Sequence, residues 1–169
     1  MEILAMSRAR AIQYCQMKHR HSSVIISISD PNMDYSSGPF ITPENHIEAI
    51  LPLCFCDADR PGTDVYGNET DGSDLMSDDD ARKVALFVRG RMTDRIIVHC
   101  DAGISRSGGV AAAIAKWMLN DDSEFFYSGQ YRPNMWCYRK TLTALCKLGS
   151  KTKAGRKSIN SGEEAYQET

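Results

Sequence analysis

Residues 96–108 read Ile96-Ile97-Val98-His99-Cys100-Asp101-Ala102-Gly103-Ile104-Ser105-Arg106-Ser107-Gly108. The β-branched run at the start predicts a buried strand that ends at His99. The Ala-rich stretch from Ser107 to Leu119 predicts a helix that packs closely on its neighbours. Between the two the chain turns sharply, and Gly103, with Gly108 and Gly109 just beyond, permits the turn. A strand, a tight loop and a helix N-terminus make an anion site, because loop N–H groups converge and the helix dipole adds partial positive charge. Arg106 contributes a two-pronged donor that fits phosphate oxygens. Cys100 opens the loop, where dipole, amides and guanidinium all favour thiolate over thiol. One loop thus activates a nucleophile and holds its target.

The alternation of strand and helix continues on both sides. Ile3 to Met6 reads as a short strand, and Ser7 as the cap of a helix through about Lys18, with Ala11, Ile12, Tyr14 and Cys15 on one face. Val24 to Ile28 is a buried strand stopped by Asp30-Pro31. Residues 35–43 are loop. The apolar run Ile47 to Phe55 holds another strand, placed after Pro52. Residues 57–77 carry almost no core material and read as one long loop. Ser77 then caps a helix, with Asp80 three residues on and Asp78, Asp79 and Asp80 at the positive end of its dipole. Capping explains that acidic run better than a metal site. Val84, Leu86, Phe87 and Val88 give the helix its apolar side, and Gly90 ends it. A last helix is expected from about Asn134 to Leu148. The fold class is α/β, with a central, mostly parallel twisted sheet flanked by helices and the anion loop between a strand end and a helix N-terminus.

The 169 residues suit one domain, taken as residues 1–149, followed by a polar and disordered tail over 150–169. With 20 basic and 22 acidic residues the net charge is −2. No global basic field argues for nucleic acid or anionic membrane, so anion binding must be local. No apolar run approaches the roughly 20 residues that span a bilayer. Residues 1–8 lack the order of a secretory signal, and a cytoplasmic protein is expected. The six cysteines (Cys15, Cys54, Cys56, Cys100, Cys137, Cys146) show no zinc spacing. All but Cys100 are expected to be small buried apolar residues.

His99-Cys100, five intervening residues, then Arg106-Ser107 resembles the HCx5R[ST] signature of the protein tyrosine phosphatase superfamily. The fuller run VHCDAGISRS is similar to its compact dual-specificity-type branch and to microbial and phage relatives. The likeness is firm over about residues 95–120 and extends over about 24–148. It implies a phosphatase that uses no cofactor or metal and takes a phosphorylated protein or peptide as partner. Cys100 would form a phosphocysteine intermediate, and Arg106 would bind the phosphoryl group. Ser107 would hydrogen-bond the thiolate and help it leave. His99 would point inward and brace the loop, and backbone amides from Asp101, Ala102, Gly103, Ile104, Ser105 and Arg106 would line the pocket. Asn134, after Pro133, reads equally as a brace for that loop and as an ordinary helix N-cap.

The leaving oxygen also needs an acid. The family draws an Asp from a separate upstream loop, and this sequence departs from the usual spacing. Asp57 is the first choice because it follows the apolar run Leu51 to Cys56. Asp59 is second, with Asp71, Asp64 or no acid at all after them. The same chemistry on a phosphoinositide, an inositol phosphate or an RNA 5′-triphosphate is an alternative, as is a non-catalytic phosphate-binding module. Asp101, Ala102, Ile104 and Ser105 offer no cation, and Asp101 would repel a polyanion, which favours a monophosphate ester. Rhodanese-type sulfur transfer and arsenate reduction also use loop cysteines. Cys54 and Cys56 are further candidates for a disulfide with an oxidised Cys100. Tyr35, Phe40 and Tyr66 are loop aromatics that read more as minor packing residues than as the walls of a pocket.

Overall fold

The computed structural model describes residues 1–31, 46–63, 67 and 69–155. Its elements run β1 (Glu2–Ser7), α1 (Arg8–Gln16), β2 (Ser23–Ser29), β3 (Ile47–Cys54), β4 (Gly62–Thr63), β5 (Glu69–Thr70), α2 (Asp78–Val88), β6 (Arg95–Cys100), α3 (Arg106–Leu119), α4 (Ser123–Tyr127) and α5 (Met135–Gly155). The main sheet has four strands in the order β1-β6-β2-β3, and every pairing in it is parallel. β2 and β6 lie inside the sheet. They read as largely apolar runs because a parallel strand is covered on both faces. One face (Val24, Ile26, Ile28, Ile96, Val98) packs on Val84 and Val88 of α2, Val110 and Ile114 of α3 and Leu145 of α5. On the other face Ile25 and Ile97 pack with Leu4 and Met6 of β1 and with Tyr14 of α1.

Several boundaries differ from those read in the sequence. β3 begins at Ile47 and runs through Pro52. It is the edge strand, so the N–H that proline lacks removes no ladder bond the sheet needs. Its outer residues alternate, with Ile47 and Leu53 buried and Cys54 exposed. Cys54 and Cys146 are exposed and not core residues; Cys56, Cys100 and Cys137 are buried, and Cys15 is partly so. The long segment after β3 is not featureless, since β4 and β5 pair in it as a short antiparallel ribbon. α1 ends at Gln16, immediately before the exposed Met17.

Ser77 caps α2 in a full capping box with Asp80. Ala81, Val84, Ala85 and Val88 form the buried stripe, while Leu86, expected on the apolar side, is exposed. α4 has too few residues to show a helical period and was not read from the sequence. α5 continues past the expected end at Leu148 to Gly155. Gly149 does not stop it, because one glycine inside a helix costs only about 1 kcal/mol. Residues 156–169, and with them most of the expected tail, lie outside the described residues, as do Tyr35, Phe40, Tyr66 and Asp64.

Candidate active site

Strand pairing sets the position of the loop. β1 and β6 run in register, with Ser7 opposite Cys100, so both strands end at the same level. The loop of residues 101–105 leaves β6 there and passes over the β1–α1 junction. Gly103 has φ +78°, and a Cβ on it would lie 2.2 Å from the Ser7 nitrogen. Both the left-handed backbone and the close approach demand glycine. α3 starts at Arg106, so the first-turn amides, which have no carbonyl one turn back, point toward the loop.

Cys100 is buried at the base of this loop. The Gly103 N–H donates to its sulfur at 3.2 Å, and the Ser107 Oγ lies 3.2 Å from it. Arg106 is only 5% exposed. One terminal nitrogen donates to the Phe55 carbonyl at 2.8 Å and the other to Asp101 Oδ2 at 2.9 Å. The buried Nε has no hydrogen-bond partner among the described residues. Burial opposes the guanidinium charge. Cys100 and the carboxylates of Asp57, Asp101 and Asp30 outweigh that and hold its pKa above the ordinary arginine value. His99 is fully buried, with Nε2 2.7 Å from Ser27 Oγ. Burial, aided by the nearby Arg8 charge, pushes its pKa down to about 4, so the ring is neutral.

The candidate acids separate cleanly. Asp57 faces the loop. Its Oδ1 accepts from Ser105 Oγ at 2.7 Å and from Asn134 Nδ2 at 3.1 Å, and its Oδ2 lies 3.9 Å from Arg106 Nε. Asp59 Oδ1 accepts from the Met135 and Trp136 amides at 2.7 and 3.3 Å, so this carboxylate caps α5. Asp71 is exposed and accepts from the Ser73 side chain and backbone within a turn. Those bonds hold it below the usual carboxylate range, which is the wrong direction for a proton donor.

Asn134 makes side-chain contacts in two directions. Its Oδ1 accepts from the Cys137 N–H at 2.9 Å as a cap, and its Nδ2 holds Asp57 and the Ala58 carbonyl. Its own N–H donates to the Ser105 carbonyl at 3.0 Å, and the Arg132 N–H donates to the Ile104 carbonyl at 3.2 Å. The segment before α5 thus ties the phosphate loop to the Asp57 loop. No group of His, Cys, Asp and Glu suited to a metal ion occurs among the described residues.

The reading of Asp101 needs correction. It does not stand as a bare negative charge, because Arg8 Nε donates to Oδ1 at 2.9 Å while Arg106 donates to Oδ2. Arg8, together with Asp30 at 3.7 Å from Arg106, was missed in the sequence. Neither lies in a motif. The matched ends of two parallel strands would have pointed to Arg8, since it follows Ser7 as Asp101 follows Cys100.

The chain forms a four-stranded parallel sheet flanked by helices, with Cys100 and Arg106 at the two ends of a strand-to-helix loop, a fold that it shares with a solved structure of another protein. Among solved structures, the chain matches that of PTPMT1 with a TM-score of 0.52 and 15% identity, over 90% of this chain and 95% of that one. PTPMT1 in complex with PI(5)P matches at 0.45 and 14% identity, over 78% and 81% of the two chains. The Yvh1 phosphatase domain from Chaetomium thermophilum matches at 0.47 and 18%, over 88% and 90%. No protein-family profile and no curated protein matches the sequence.

Proposed function

We propose that this chain is a cysteine-dependent phosphomonoester hydrolase acting on phosphotyrosine, and also phosphoserine or phosphothreonine, in proteins. The observation that carries the reading is the buried Arg106 Nε, which no described protein group satisfies, in the loop that begins at the Cys100 sulfur. A buried donor without a partner is costly, and a phosphoryl oxygen would supply the partner. In the first step the Cys100 thiolate attacks phosphorus and the ester P–O bond breaks. Asp57 gives its proton to the departing oxygen. In the second step water attacks the phosphocysteine and loses a proton to Asp57. The S–P bond then breaks, with the Ser107 hydroxyl stabilising the leaving thiolate. Loop amides and Arg106 hold the equatorial oxygens throughout. A thiolate nucleophile needs a reducing compartment, which fits a cytoplasmic protein.

The test is hydrolysis of p-nitrophenyl phosphate and of a phosphotyrosine peptide. Activity sensitive to vanadate and abolished by Cys100→Ser is expected; full activity in that variant would overturn the assignment. One observation favours a second reading, the same chemistry on a phosphoinositide, an inositol phosphate or an RNA 5′-triphosphate. Asp101, with one oxygen on each of two arginines, repels a polyanion far less than a bare carboxylate would. Turnover of a phosphoinositide far above that of phosphotyrosine would establish this second reading in place of the first.

A further inference from the structure

Arg8 stands outside the loop motif yet holds it from two directions. Its backbone N–H donates to the Asp101 carbonyl at 3.2 Å, and its side chain binds the Asp101 carboxylate. A terminal nitrogen donates to Ser29 Oγ at 2.8 Å, at the end of β2. The pair is only partly exposed, at 19% and 29% of the two side chains, so solvent screens it incompletely. Asp101 is the residue next to the nucleophile, and its second oxygen engages a terminal nitrogen of Arg106. The two guanidinium groups therefore share one carboxylate. Without Arg8 the whole charge of Asp101 would fall on Arg106. Arg106 would then serve as its counter-ion, in competition with a phosphoryl group, and the uncompensated carboxylate would repel the incoming anion.

We propose that Arg8 is a positioning residue of the phosphate loop: by neutralising Asp101 it leaves Arg106 to the phosphoryl oxygens. The proposal rests on the phosphatase reading above. It predicts a particular non-additivity. Removing Arg8 harms anion binding only while Asp101 is charged, so removing both charges together should harm it much less.

The experiment measures tungstate affinity from the tungstate-dependent melting shift, and kcat and KM for p-nitrophenyl phosphate. The proteins are the natural chain, Arg8→Gln, Asp101→Asn and the double variant. Arg8→Gln should weaken tungstate binding by about 10-fold and lower kcat/KM in parallel. Asp101→Asn should bind tungstate at least as tightly as the natural chain. The double variant should recover to within about 3-fold of it. A double variant as weak as Arg8→Gln or weaker would overturn the proposal, because a merely structural Arg8 gives losses that Asn cannot reverse. So would unchanged affinity in Arg8→Gln. If Arg8→Gln does not fold, weaker tungstate binding by Asp101→Asn overturns it instead. A natural chain that binds tungstate without turning over substrate would sink the hydrolase reading alone and leave the Arg8 comparison intact. A natural chain that binds no tungstate would sink both.

Discussion

Three carboxylates crowd one guanidinium: Asp101 at 2.9 Å, Asp30 at 3.7 Å and Asp57 at 3.9 Å from Arg106. They differ in what else they do, and that division supports Asp57 as the proton donor. Asp57→Asn should lower kcat on a phosphotyrosine peptide by about 10²-fold or more. The loss should be smaller on p-nitrophenyl phosphate, whose leaving oxygen needs less help from a proton. Equal losses on both substrates would argue against the role. Asp59→Ala should cost about 1 kcal/mol of stability, measured in urea, through the lost cap of α5, with catalysis retained. His99 offers a pH test. Its folded pKa of about 4 lies below the usual 6.5, so the unfolded chain takes up a proton on this ring first as pH falls. The stability it contributes is whole above about pH 6.5 and disappears as pH drops toward 4, amounting to about 3 kcal/mol. Urea unfolding from pH 7.5 to 4 should show a steeper loss in the natural chain than in His99→Gln. The placement of His99, Cys100, Arg106 and Ser107 on one strand-to-helix loop was legible in the sequence, because the strand end, the glycine turn and the helix start lie in consecutive positions. Arg8 and Asp30 were not, because their contacts depend on which strands lie side by side.

At the scale of elements, α3 lies close against the segment that leads into α5. A Cβ on Gly109 would lie 2.4 Å from the Asn134 carbonyl oxygen, whereas one on Gly108 would meet nothing nearer than 3.6 Å. Gly109→Ala should therefore force the helices apart, costing roughly 1–3 kcal/mol. It should also lower kcat, because Asn134 holds both the Ser105 carbonyl and Asp57. Gly108→Ala should be neutral or stabilising by up to about 1 kcal/mol, since alanine is the better helix former. Thermal unfolding of the two variants separates these outcomes. The Ala-rich composition of α3 signalled tight packing but not its partner. The partner is the segment around Asn134, nearly thirty residues downstream of α3's first turn, and only the folded chain brings the two together.

For the molecule as a whole, anion binding and folding are linked. Inorganic phosphate at 100 times its Kd should add about 2.7 kcal/mol to stability. That raises the melting temperature by roughly 5–10 °C for a chain of this length. Arg106→Ala should abolish the shift, and a shift that survives in that variant would place the anion elsewhere. The α/β class, the parallel sheet and the nucleophile loop followed from local pattern, because apolar period, turn residues and loop chemistry are written in consecutive positions. The sequence by itself therefore determined Cys100 and Arg106 and the loop between them. Tertiary structure alone decided that Asp59 caps a helix while Asp57 faces the guanidinium, that Asp101 is shared between two arginines, and that Arg8 takes part at all. Those contacts join residues up to 93 positions apart. Their geometry is fixed by strand order, register and helix packing, which no single stretch of the chain encodes.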